Sequence, residues 1–125
     1  MTASDEKNAT VLFIDDDPQH LKLYQWVIQR GPFTVVPLLV GGAGLPSLPG
    51  QAPDVIALDY RLRGSLTSVE VAQELKLKYP ATPIVVLSEM EWLPDDVAPY
   101  STAFVRKGNP DLLLQTLTRL TKPAA

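Results

Sequence analysis

Short apolar runs alternate with longer amphipathic stretches along this chain, the pattern of a parallel sheet whose connecting helices cover both of its faces. The runs predict strands over Thr10–Ile14, Phe33–Leu38, Asp54–Leu58, Pro83–Leu87 and Ala103–Arg106. Between the first two, Asp17 is placed to cap a helix with Pro18 in its first turn, and Leu21, Tyr24, Val27 and Ile28 then share one face. Gly31-Pro32 stops that helix. After the third strand, Val71, Leu75 and Tyr79 recur at four-residue spacing beside Ala72, until Pro80 ends the helix. Asn109-Pro110 opens the last helix as Asp17-Pro18 opens the first, and Leu113, Leu117 and Leu120 form its buried stripe.

Two connections break the alternation. Residues 41–53 (GGAGLPSLPGQAP) stand where the second helix belongs, yet Gly and Pro fill more than half of them. An interior proline costs a helix about 3 kcal/mol, so this segment predicts a loop with at most one or two helical turns. Residues 89–102 have to supply the fourth helix around Pro94 and Pro99. A short helix beginning near Leu93 or Pro94 is expected, with Asp95-Asp96 in its first turn, where acids suit the helix dipole.

The length of 125 residues fits one domain with a continuous core. A formal net charge of −3 gives no electrostatic footprint for nucleic acid. The chain has no cysteine, which excludes disulfides, zinc-thiolate sites and thiol nucleophiles. Its first nine residues form a polar tail without the apolar core of a signal peptide, and no apolar run approaches membrane-spanning length. A cytoplasmic domain is expected.

The chemistry gathers at the strand ends. Asp15-Asp16-Asp17 follows the apolar run Val11-Leu12-Phe13-Ile14, and Asp59 follows Val55-Ile56-Ala57-Leu58. Two carboxylates ~4 Å apart repel by roughly 4 kcal/mol at an effective dielectric near 20. If the two strands are neighbours, three carboxylates meet in one crevice, and oxygen ligands of that kind suit a hard cation such as Mg²⁺. Ser88 ends the fourth apolar run and Lys107 follows the fifth. In open α/β sheets functional groups collect beyond the carboxyl ends of the strands, which directs attention to this set.

The segments FIDDDP, DVIALDYRLRG, IVVLSE and AFVRKG, in that order and spacing, resemble those of response-regulator receiver domains. The resemblance covers nearly the whole chain, with the receiver over residues 10–122. It implies a doubly wound α/β fold: a five-stranded parallel sheet of order 2-1-3-4-5 with helices on both faces, the second helix being short or irregular here. It implies that Asp59 accepts a phosphoryl group from a sensor histidine kinase or a histidine phosphotransfer protein. Asp15, Asp16, Asp59 and the backbone carbonyl of Arg61 would hold Mg²⁺. Ser88 and Lys107 would bind the phosphoryl oxygens, and Phe104 would be the switch aromatic. Phosphorylation would then change the face of the fourth helix, fifth strand and fifth helix, which a downstream protein reads. Moving a two-state switch from 1:99 to 99:1 takes roughly 5.5 kcal/mol. A single hydrogen bond to a charged group contributes about 1.5–3 kcal/mol, so both Ser88 and Lys107 are needed. The domain would be a signalling switch rather than a classed enzyme, bind neither nucleic acid nor membrane, and be compatible with a homodimer.

The chain departs from the family's pattern at several points. Gly108 stands where proline usually follows the lysine through a cis bond, predicting a trans bond and a changed aim for Lys107. Glu89 replaces a small residue, where its charge and bulk would shield Asp59, and Arg61 and Met90 occupy the two positions that tune phosphoryl lifetime. These departures define an alternative, a pseudo-receiver that binds partners without phosphorylation. A third reading is a phosphatase of the haloacid-dehalogenase type, because Asp15-x-Asp17 imitates its signature. Gln19 and the absence of a later acidic pair weigh against it. Asp17 reads as a helix cap, His20 as an exposed residue without function, and Trp26 and Trp92 as packing or surface aromatics.

Overall fold

The computed structural model describes residues 8–41, 44–62 and 66–121. In chain order the elements are β1 (Ala9–Asp15), α1 (Pro18–Ile28), β2 (Phe33–Leu39), β3 (Val55–Asp59), α2 (Ser68–Lys78), β4 (Ile84–Ser88), a 3-10 turn (Ala98–Tyr100), β5 (Ala103–Arg106) and α3 (Pro110–Thr121). The strands form one sheet of order β2-β1-β3-β4-β5, every pair parallel. Chain direction therefore reverses its march between β1 and β3, which opens a crevice at their carboxyl ends. Ile14 lies opposite Leu58, so Asp15 and Asp59 come next in the same register. Pro37 sits in the edge strand β2, where a missing N–H is tolerated.

Alternating strand residues feed two apolar layers. Val11, Phe13, Val55, Ala57, Val85 and Leu87 point to one face and pack with Leu21 and Ile28 of α1 and Leu113 and Leu117 of α3. Leu12, Ile14, Ile56, Leu58, Ile84 and Val86 point to the other, where Val71, Ala72 and Leu75 of α2 meet them. The helix starts follow capping chemistry. Asp17 Oδ1 accepts the Gln19 amide at 2.9 Å, and Asn109 Oδ1 accepts the Leu112 amide at 3.1 Å. Thr67 and Glu70 form a reciprocal capping box at the start of α2.

The second connection forms no helix among its described residues; Gly41 and Gly44 make an isolated bridge, and an extended Pro-rich path runs on to β3. The helix expected from Leu93 or Pro94 is also replaced. One turn closes when the Ala98 amide donates to the Pro94 carbonyl at 3.1 Å, and the 3-10 turn follows. Pro99 has no N–H to give the Asp95 carbonyl, so the α-helix cannot propagate. The face expected from a fourth helix, β5 and the last helix therefore consists of this turn, β5 and α3. No helix among the described residues is long and apolar enough to cross a membrane.

Candidate functional site

Beyond the ends of β1 and β3 lies a shallow crevice lined by Asp16, Asp17, His20, Asp59, Arg61, Glu89 and Lys107. Asp15 forms its floor, fully buried, with Asp59 buried beside it. Each carboxylate is held by the turn that follows it. Asp15 Oδ1 accepts the amides of Asp16 at 2.7 Å and Asp17 at 3.1 Å. Asp59 Oδ1 accepts the Arg61 amide at 3.3 Å. Asp15 Oδ2 is buried without a hydrogen-bond partner.

Lys107 enters from β5, its amide donating to the Ser88 carbonyl at 2.8 Å. Its Nζ lies 2.8 Å from Asp59 Oδ1, and both side chains are largely buried. No cis peptide occurs among the described residues, so the Lys107-Gly108 bond is trans. Gly108 takes φ of 89°, a left-handed conformation that glycine adopts without penalty, and the chain turns from there into the Asn109 cap. The lysine thus reaches the carboxylate without a proline behind it.

The electrostatics are those of a site short of positive charge. Burial, and then the neighbouring Asp59, push the Asp15 carboxyl up from its ordinary 3.8 to about 7. Burial pulls the Lys107 ammonium down, but its contact with Asp59 more than offsets this and the net shift is upward. Burial also raises the Tyr24 phenol, against the pull of Lys107. An orphaned buried carboxylate oxygen beside a second buried carboxylate fits a divalent cation taken by oxygen ligands.

Ser88 is buried at the end of β4, where its Oγ accepts the Met90 amide at 3.1 Å. Phe104 is half-buried and packs on the α2 side of the sheet. Glu89, Met90 and Arg61 are exposed at the rim, and Arg61 and Glu89 form no ion pair with each other. His20 differs from its sequence reading: it is half-buried, with Nδ1 3.5 Å from Asp15 Oδ2 and Nε2 3.7 Å from Asp17 Oδ2. The signal was its place as the third residue of α1, because helical side chains lean back toward the helix start. Tyr60, whose hydroxyl donates to Asp96 at 3.1 Å, lines an adjoining pocket that shares Arg61 with the crevice.

No family model matches the sequence. The chain is 29% identical over 92 residues to the transcriptional regulatory protein GlrR of Escherichia coli, a match covering 74% of this chain and 20% of that protein. It thus spans about a fifth of that relative's length. Among solved structures it resembles the chemotaxis response regulator CheY4 of Vibrio cholerae, with a TM-score of 0.76 and 24% identity over 90% of this chain and 98% of the other. It also resembles the response regulator TrrA of Thermotoga maritima, solved in complex with Mg²⁺-BeF, with a TM-score of 0.72 and 20% identity over 90% of this chain and 98% of the other. With this strand order and these structural neighbours, the chain carries the receiver fold of response regulators.

Proposed function

We propose that the chain is a two-component receiver that accepts a phosphoryl group on Asp59 from a phosphohistidine of a sensor kinase or phosphotransfer protein. The observation that carries this reading is the contact of Lys107 Nζ with Asp59 Oδ1 at 2.8 Å, made beside the unpartnered Oδ2 of Asp15. Phosphoryl transfer has a loose transition state with charge spread over three equatorial oxygens, so positioning and positive charge supply most of the catalysis. An Asp59 carboxylate oxygen forms the new O–P bond while the donor's N–P bond breaks and its electron pair stays on the imidazole. Asp15, Asp16, Asp59 and the Arg61 carbonyl would hold Mg²⁺, which when bound offsets the charge of the carboxylates and of the incoming group. The relative solved with Mg²⁺-BeF supports that assignment by analogy of fold.

Lys107 turns its ammonium from Asp59 to a phosphoryl oxygen. Ser88 already accepts a hydrogen bond from Met90, so its own O–H is left to donate to the phosphoryl group. Drawing Ser88 inward frees room for Phe104, and the surface of β5, α3 and the turn at residues 94–100 changes for a downstream protein. Incubation with Mg²⁺ and acetyl phosphate, read by intact mass, tests the proposal. Wild type gains one phosphoryl group and Asp59→Asn gains none. An unlabelled wild type would instead favour the pseudo-receiver, and labelling lost only in Asp15→Asn would move the acceptor to Asp15.

A further inference from the structure

His20 is anchored over the crevice by the start of α1. Asp17 caps that helix through Oδ1, which fixes the first turn above the end of β1 and carries the imidazole back toward Asp15. His20 Nδ1 and Asp15 Oδ2 face each other at 3.5 Å, too far for a good hydrogen bond. Both atoms are buried, and neither has a hydrogen-bond partner. Buried polar atoms are nearly always satisfied, so two orphans facing one another call for something between them.

The distances suit a shared ion. Two ligand atoms held tetrahedrally at about 2.0–2.2 Å from a zinc-sized cation lie about 3.3–3.6 Å apart. One ligand atom each from Asp15, His20 and Asp59 falls within 4.8 Å of the other two. Asp17 Oδ2, 3.7 Å from Nε2, stands on the far side of the ring, where an outer carboxylate orients a metal-bound histidine.

We infer that His20 is a further protein ligand for the cation proposed above, beside Asp15 and Asp59, turning the site from Mg²⁺ toward imidazole-accepting divalent ions such as Zn²⁺ and Co²⁺. The inference rests on the divalent site proposed above. Mg²⁺ is hard, keeps its waters and prefers oxygen, whereas first-row transition ions bind imidazole well. A carboxylate pair alone would not make that distinction; the imidazole does.

His20 is the only histidine, so the imidazole ¹⁵N signals of the tag-free chain report on it alone. Zn²⁺ should shift the Nδ1 resonance and Mg²⁺ should leave it in place. In calorimetric titrations His20→Gln should weaken Co²⁺ binding at least roughly tenfold, the loss that even outer-shell partners produce, and leave Mg²⁺ binding unchanged. Unshifted imidazole nitrogens under saturating Zn²⁺ overturn the role of His20, as does an equal loss for both ions in the variant. Mg²⁺ binding that survives either result leaves the divalent site standing. A wild-type chain that binds neither ion overturns both readings.

Discussion

The two faces of the sheet are covered in different ways. On one, α1 and α3 lie as regular helices, satisfying most of their own backbone groups. On the other, α2 is the one α-helix among the described residues, and the rest of the cover is the path through Leu45 and Leu48 and the turn carrying Val97. The strand residues beneath are equally dry: Phe13 and Val85 on the first face, Ile14 and Ile84 on the second, are all fully buried. Regular helices are therefore not required to seal this sheet. What differs is how the cover is fastened. Side-chain hydrogen bonds pin the irregular face: Tyr79 to the Pro49 carbonyl, Thr82 to the Pro53 carbonyl and Gln73 to Tyr100.

Truncating one leucine on each face shows whether the two covers pack equally tightly. Leu117→Ala, in the helical layer, should destabilise by about 2–5 kcal/mol, and Leu48→Ala by less than about 2 kcal/mol, as measured by urea unfolding. Equal losses would mean that the irregular cover is packed as tightly as the helices.

The crevice at the end of the sheet gives the next effect. Asp15 holds its proton more tightly in the folded state, at about 7 against an ordinary 3.8, so the folded chain binds more protons between those values. The contribution of Asp15 to metal-free stability should therefore be fully present below about pH 3.8, fall as pH rises through that window, and be lost above about 7. Asp15→Asn should flatten the profile, which urea midpoints in EDTA across the range would reveal.

Smaller effects probe the fastenings. Tyr79→Phe removes the hydroxyl that donates to the Pro49 carbonyl and should lose about 0.5–1.5 kcal/mol. Pro49→Ala keeps that carbonyl and loosens only the unfolded chain, so its loss should be about 0.4–1 kcal/mol. Both would be read as shifts of the urea midpoint at constant slope.

Much of this architecture is legible in the sequence, and for identifiable reasons. Short apolar runs mark all five strands because most of the strands are buried on both faces, and the observed ends differ from the expected ones by a residue or less. Asp17-Pro18 and Asn109-Pro110 announce two helix starts because capping is a local interaction. The connection after β4 is harder to read: Pro94 permits a helical turn, and whether that turn continues is decided by the missing N–H of Pro99. His20 escaped notice because its meaning lies in the meeting of a helix start with a strand end, and no short window of sequence contains Asp59 as well.

Gly108 carries a consequence for recognising chains of this kind. Its missing side chain meets no crowding, so the demand for glycine there comes from the backbone angle alone. The least constrained amino acid, set in a left-handed turn, follows the lysine whose ammonium group meets the Asp59 carboxylate, at the position where the receiver pattern expects the most constrained one. A search pattern that insists on lysine followed by proline would pass over such chains, whereas one keyed to a lysine that meets the carboxylate at the end of β3 would retrieve them.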